Sequence, residues 1–174
     1  MYLLQDMWEG VWDFMDLGGT VLWFLFGLAV VMWALLVERA WYYKTGLKKE
    51  MAHILKDWDG RAERQSKRAH QIRQKLISQV SMQIEQYLPL IKTLIALAPL
   101  FGLLGTVTGM IRVFEVMALT GGGDAKAMSS GVSMATIPTM AGMVTALSGV
   151  FGFTYLEKLA KTEKQLLEDN LNLD

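Results

Sequence analysis

Three long runs of uncharged residues place the strongest constraint on how this 174-residue chain can fold. The runs cover residues 18–37, 93–111 and 127–156, which contain 20, 19 and 30 residues without Asp, Glu, Lys or Arg. A helix needs roughly 20 apolar residues to cross the hydrocarbon core of a bilayer. The sequence therefore predicts an all-α integral membrane protein with three transmembrane helices and long cytoplasmic helical extensions.

Charged residues are divided unevenly between the remaining segments, although the formal net charge is zero. Residues 1–17 contain four acidic residues and no Lys or Arg, whereas residues 38–92 contain 12 Lys or Arg against 6 Asp or Glu. Basic segments of multi-pass proteins stay on the cytoplasmic side of the membrane. We therefore expect residues 38–92 and the tail at 157–174 in the cytoplasm and the N-terminus on the opposite side of the membrane, which for a bacterial inner membrane is the periplasm. The basic charge sets topology and does not indicate nucleic-acid binding.

The segment before the first run has the pattern of an amphipathic helix. Its apolar residues recur every three or four positions, while its acidic residues lie on the other face. This pattern predicts a periplasmic helix at residues 1–17 that lies on the membrane surface, with packing on a partner protein as the alternative. Gly18 and Gly19 are expected to break this helix before the first span at 18–37.

The segment between the first and second runs contains two apolar stripes at helical spacing. Asp59 and Gly60 separate the stripes and favour a turn. Residues 38–92 are therefore predicted to form a cytoplasmic helical hairpin whose second arm continues into the second span. Pro89 and Pro99 are the positions where that helix could kink. The stripes consist of Leu47, Met51, Leu55 and Trp58, and of Ile72, Leu76, Val80, Ile84 and Leu88.

A short connection joins the last two spans. With span two at 93–118 and span three at 127–156, residues 119–126 form a periplasmic loop, which includes the triplet Gly121–Gly123. A phosphate-binding loop would need a preceding strand and a following Gly-Lys-Ser/Thr, and neither is present. The triplet is therefore interpreted as a turn.

The second and third runs hold no Asp, Glu, Lys, Arg or His. Ionisable residues inside a bilayer are costly and usually mark ion pathways. This chain alone therefore offers no side chain that could carry a proton halfway across the membrane. It has no cysteine, and its two histidines, His53 and His70, are widely separated in the hairpin. We expect no enzymatic activity, no cofactor and no metal site.

Small residues recur along the second and third runs. Small faces let helix backbones approach closely, which drives helix association in lipid. Threonines on such helices bond across to a neighbour or back to their own helix, so most of them serve packing. The residues predicted to set the packing are Gly102, Gly105, Gly109, Gly142 and Ala146.

Two motifs in these runs resemble the conserved spans of the ExbB/TolQ/MotA proton-channel family. They are PLFGLLGTVTGMI at 99–111 and GVSMATIPTMAGMVTALSGV at 131–150. The resemblance covers residues 88–157, and the first 87 residues match in layout only. The three spans and the charge topology are similar to ExbB and TolQ, whereas MotA has four spans. The chain looks most like a short ExbB of a second-type Ton system.

This resemblance implies a membrane homo-oligomer, in the family a pentamer, around two copies of a single-span ExbD-type partner. The partner would contribute a membrane aspartate, and proton flow would drive a TonB-type protein. The resemblance also implies that Thr106 and Thr139 line the pore. The family glutamate five residues before Thr139 is replaced here by Met134. This departure, which MotA shares, leaves room for a second, longer ExbB-like protein in the complex.

Other functions remain open from the sequence. A TolQ-like subunit of the Tol-Pal envelope system would have the same layout, and a non-conducting membrane scaffold would have the same packing faces. The missing fourth span disfavours a flagellar-type stator. The choice between H⁺ and Na⁺ stays open because the carboxylate would lie on the partner chain.

Overall fold

The computed structural model describes residues 2–60, 66–121 and 125–170. Every regular element in these ranges is a helix. The helices are α1 at Tyr2–Asp59, α2 at Lys67–Glu85, α3 at Leu88–Thr120 and α4 at Ala125–Asn170.

Three helical stretches are long and apolar enough to cross a membrane. They are Gly18–Lys56, Lys67–Leu119 and Met128–Asn170. Less than a third of each apolar window is buried within the chain, so most of its side chains are left for lipid or other subunits. The prediction of an all-α protein with three spanning helices is confirmed.

One compact unit consists of Met1–Trp33 and Thr93–Val150, which are parts of α1, α3 and α4. Its core forms where apolar side chains of the three helices meet. The core contains Met15, Leu22, Leu25 and Ala98, with Leu28, Phe101, Ile137, Ala141 and Ala146 packed around them.

Helix α1 contains a sharp kink at Gly19. Its backbone angles there, φ 66° and ψ −165°, lie in a region that only glycine adopts readily. The ring centroids of Trp12 and Trp23 are 5.7 Å apart, whereas residues eleven apart in a straight helix are separated by about 16 Å along its axis. The N-terminal arm therefore folds back beside the span. The side chains of residues 1–8, with part of the predicted apolar face, lie outside the described residues.

The second unit consists of Ala34–Lys92 and Phe151–Asp174. In it the second half of α1 pairs with α2, and the Tyr43 hydroxyl donates a 2.6 Å hydrogen bond to the carbonyl oxygen of Ile84. Both predicted apolar stripes contribute to its core. Their buried members are Leu47, Met51, Trp58, Val80, Ile84 and Leu88.

The second arm of the hairpin does not run into the second span as one helix. Helix α2 ends at Glu85, and α3 begins at Leu88 after a turn in which Tyr87 has φ 68°. Pro89 explains the interruption, because proline lacks an N–H and its ring would clash with the carbonyl group of Glu85. Proline is tolerated in the first turn of a helix, where Pro89 lies. Pro99 lies within α3.

The connection between α3 and α4 begins at a glycine. Gly121 follows the last residue of α3 and has φ 66°, the left-handed conformation that commonly terminates a helix. Gly122 and Gly123, the rest of the predicted turn, lie outside the described residues.

Candidate channel-forming helix pair

Helices α3 and α4 approach each other closely at Gly102. A Cβ atom on Gly102 would lie 2.9 Å from the carbonyl oxygen of Pro138 and 3.0 Å from the Cα of Thr139. Both distances are shorter than van der Waals contact. Only a residue without a side chain fits here, so the two backbones touch at this level.

The contact continues along α3 toward its C-terminus. Gly105 lies against the ring of Pro138, and a Cβ on Gly109 would lie 2.6 Å from the Cα and the N of Ala135. Because residues three and four apart share one face of a helix, Gly102, Gly105 and Gly109 form a single groove. Pro138 and Ala135 of α4 fill that groove.

Toward the N-terminus of α3 the close contact of the two helices continues, and there the glycine belongs to α4. A Cβ on Gly142 would lie 2.7 Å from the carbonyl oxygen of Ala98 and 3.2 Å from the Cα of Gly102. Ala146, one turn further, is partly buried against the core that includes Ala98. All five residues predicted to set the packing thus lie on or beside the contact between α3, α4 and the core.

Thr139 connects the two helices directly. Its hydroxyl donates a 3.1 Å hydrogen bond across the interface to the carbonyl oxygen of Gly102. A carbonyl oxygen has two lone pairs, so Gly102 can accept this bond in addition to a helical one. The Thr139 side chain is half-buried, which leaves part of it accessible from outside this chain.

Thr106 lies one turn beyond Gly102 on α3 and behaves differently. Its hydroxyl donates a 2.6 Å bond to the carbonyl oxygen of Leu103 in its own helix. Residues four apart lie on the same face of a helix, so Thr106 lies on the same face of α3 as Gly102. The carbonyl oxygen of Gly102 is the acceptor of the hydrogen bond from Thr139. The two threonines therefore lie near the same strip of the helix pair.

Met134 lies on α4 beside the kink of α1. Nη1 of Arg112 on α3 donates a 3.2 Å hydrogen bond to its sulfur. A Cβ on Gly19 would lie 3.9 Å from the same sulfur. At position 134, where the resemblance implies a glutamate in the family, the structure thus places a thioether against a guanidinium group.

The sequence profile of the MotA/TolQ/ExbB proton channel family matches residues 38–169. The chain belongs to this family. The matched range includes the hairpin, both helices of the close contact, Thr106 and Thr139. Family membership and the three apolar helices make the chain a multi-pass protein of the inner membrane.

Individual relatives carry ExbB names. A biopolymer transport protein ExbB-like 1 of Synechocystis sp. is 48% identical over 73 residues, 40% of this chain and 29% of the relative. The biopolymer transport protein exbB1 of Vibrio cholerae is 38% identical over 77 residues, 44% of this chain and 34% of the relative. The biopolymer transport protein ExbB of Helicobacter pylori is 31% identical over 80 residues, 46% of this chain and 55% of the relative. The matched segments thus span between about a third and about half of each relative.

Sequence reasoning did not assign a role to two residues of this region. Pro138 fills the glycine groove, although proline inside a helix is usually a source of kinks. The signal available in the sequence was its register, since Pro138 lies one turn after Ala135 and one turn before Gly142. Arg112 was given no role from the sequence, and its contact with Met134 required the tertiary structure.

Proposed function

We propose that this chain is an ExbB-like subunit of an inner-membrane motor that couples the proton motive force to TonB-dependent transport across the outer membrane. In this proposal a homo-oligomeric ring, most simply a pentamer, surrounds an ExbD-type single-span partner that engages a TonB-type protein. The observation that carries the proposal is the hydrogen bond from Thr139 to Gly102. It places a hydroxyl group at the centre of a helix pair whose uncharged runs contain no Asp, Glu, Lys, Arg or His.

A hydroxyl group suits the surface that would face a titrating carboxylate. It can donate a hydrogen bond to the charged carboxylate and accept one from the protonated carboxylic acid. Thr106 and Thr139 would present such groups at neighbouring levels. Since both now bond to backbone carbonyls, each hydroxyl must exchange one partner for another as the carboxylate arrives.

The missing proton carrier points to a second chain. Because residues 93–111 and 127–156 contain no Asp, Glu or His, proton movement through the complex requires a carboxylate from elsewhere. A single-span partner with one membrane acid would supply it. Replacement of the family glutamate by Met134 increases this dependence, and a longer ExbB-like protein could serve in the same complex.

The same proposal assigns an orientation to the segments. The N-terminus and residues 119–126 lie in the periplasm. The hairpin at 38–92 and the C-terminal tail lie in the cytoplasm, where their basic side chains are retained. Unit two, with its paired arms and the end of α4, then forms the cytoplasmic part of each subunit.

The test removes each threonine hydroxyl group while keeping the volume of the side chain nearly unchanged. Thr139→Val and Thr106→Val are compared with Thr139→Ser, which keeps the hydroxyl, and with Thr162→Val. Thr162 is a matched control because it is exposed near the end of α4 and bonds only to its own helix at Lys158. The measurement is uptake driven by the proton gradient in cells that also express the ExbD-type and TonB-type partners.

The two valine variants in the spans should each lose about tenfold or more in uptake, since a hydrogen bond to a charged group contributes about 1.5–3 kcal/mol. Thr139→Ser and Thr162→Val should retain uptake. Intact mass of the purified complex shows whether each variant still assembles. Full uptake by both valine variants would instead indicate a scaffold that conducts nothing through this strip.

A further inference from the structure

Arg112 lies at the end of an uncharged run with an unusual partner. It is the first charged residue after the run at 93–111, and α3 continues beyond it to Thr120. Its side chain is exposed, and its Nη1 contacts the sulfur of Met134 at 3.2 Å. A thioether is only a weak acceptor, whereas a guanidinium carries five N–H donors arranged in a planar fork. This contact therefore leaves most of the hydrogen-bonding capacity of the Arg112 guanidinium unused.

No carboxylate of the described residues forms an ion pair with Arg112. The nearest in sequence is Glu115, one turn further along α3, and pairs at this spacing can form on a helix. The ion pairs seen in the described residues include Arg39–Glu38, Lys161–Glu157 and Lys164–Glu85. Within the described residues, Arg112 is therefore not paired with an acidic side chain.

The small cavity beside Arg112 limits which groups can reach the guanidinium from inside the chain. A cavity of about 30 Å³ lies between Thr20, Thr108, Arg112 and Met134. A volume of this size holds one or two water molecules but no side chain. A larger acidic group must therefore approach the guanidinium from its exposed side, where another chain would lie.

The side chain at position 134 determines whether the guanidinium of Arg112 can bind a carboxylate of another chain. The contact between its sulfur and Nη1 shows that a side chain of this length at position 134 reaches the guanidinium. A glutamate there could form a charge-assisted hydrogen bond to Arg112 within the same chain. A methionine fills the same space and supplies no negative charge to pair with the guanidinium.

We propose that Arg112 binds a carboxylate of the single-span partner at the outer end of the α3–α4 contact, and that Met134 keeps Arg112 available for it. This inference rests on the proposed function, because that function supplies the partner. A guanidinium fits a carboxylate with two parallel hydrogen bonds, which gives orientation as well as attraction. Arg112 would then select the partner and set its depth in the ring, separately from the threonine strip.

The experiment measures capture of the partner. The chain is co-expressed with the ExbD-type protein of the same bacterium carrying an affinity tag, and the affinity between them is measured in mild detergent. Arg112→Gln removes the charge, and Met134→Glu supplies a competing carboxylate in the same chain. Met134→Gln is the matched control for shape, and Glu115→Gln is the control for a carboxylate near Arg112.

Arg112→Gln and Met134→Glu should each weaken capture by about tenfold or more, because both remove the pairing of a charge across the interface. The double variant should be no weaker than either single one, since both changes remove the same interaction. Glu115→Gln should bind the partner like the unmodified chain. Met134→Gln should weaken binding less than Met134→Glu, because an amide oxygen can accept a hydrogen bond from Arg112 without neutralising its charge. The ring should keep its mass in every variant.

Three results would overturn the inference. One is wild-type capture by Arg112→Gln. Another is equal capture by Met134→Glu and Met134→Gln. The third is retention of the partner by Arg112→Gln together with loss of a bound phospholipid from the intact complex, which would assign Arg112 to a lipid phosphate. If the unmodified chain captures no partner, the proposed function itself fails; uptake that requires Thr139 but not Arg112 rejects only this inference.

Discussion

The guanidinium carbon of Arg39 lies 4.4 Å from the ring centroid of Tyr87, the residue whose positive φ separates α2 from α3. The same guanidinium lies 5.1 Å from the ring of Tyr42 and donates a hydrogen bond to the carbonyl oxygen of Gln83. Its Nε is 3.2 Å from a carboxylate oxygen of Glu38, an ion pair by distance, although the alignment does not make a hydrogen bond. Arg39 thus joins α1 to the turn where the hairpin meets the second span.

Lysine should not replace Arg39 at this junction. Arg39 is 4% exposed, and an ammonium group cannot stack on Tyr87 while bonding to Gln83 in the way a planar fork does. Arg39→Lys should therefore lower the free energy of unfolding by about 1–2 kcal/mol. Denaturant unfolding of the detergent-solubilised protein measures this change. Lys49→Gln, on an exposed face of the same helix, should change it by no more than about 0.5 kcal/mol; equal effects of the two substitutions would contradict the role of Arg39.

Gly19→Ala should disturb the fold by strain and not by a lack of space. An added Cβ would lie 3.9 Å from the nearest atoms, those of Met134, but alanine disfavours the backbone angles at this position. The expected cost is about 1–3 kcal/mol, together with faster amide hydrogen exchange in the arm before the kink. Gly10→Ala is the control, because Gly10 is helical and a Cβ there meets nothing within 4 Å. Slower or unchanged exchange in Gly19→Ala would show that the kink does not hold the arm.

Gly109→Ala should force α3 and α4 apart. The new methyl group would lie 2.6 Å from the Cα and N of Ala135, and a helix backbone cannot move aside as a flexible side chain can. We expect a loss of about 1–3 kcal/mol in unfolding free energy, as for other overpacked sites. Gly27→Ala meets nothing within 4 Å and should be neutral or slightly stabilising, since alanine favours helix over glycine. The same unfolding measurement compares the two, and similar values would mean that the helices are not in close contact at Gly109.

Tyr43→Phe should weaken the pairing of the hairpin arms. The Tyr43 hydroxyl donates a buried 2.6 Å hydrogen bond to the carbonyl oxygen of Ile84, and phenylalanine keeps the ring while removing the donor. The expected loss is about 1 kcal/mol, within the range for a single buried hydrogen bond. Tyr155→Phe, at an exposed position of α4, is the control. Hydrogen exchange at the end of α2 should rise only in the first variant; equal exchange in both would assign the stability of the hairpin to apolar packing alone.

Local patterns predicted much of the fold. Uncharged length located the three spanning helices, because burying a charge in lipid is costly whatever its neighbours are. Periodicity predicted the stripes that include Leu47 and Val80, and glycine chemistry predicted the breaks at Gly19 and Gly121. The interruption at Tyr87 was not predicted, since Pro89 permits either a kink within a helix or the start of a new one.

The sequence by itself determined that the chain is helical, that three of its helices are long and apolar enough to span a membrane, and that its uncharged runs contain no Asp, Glu, Lys, Arg or His. These properties depend on residue type and order, which act over one or two helical turns. Only the tertiary structure decided that Thr139 bonds across to Gly102 while Thr106 bonds within its own helix, and that Arg112 lies against Met134. Each of these contacts joins residues that are distant in sequence, and the register of one helix against another depends on how all their side chains pack together.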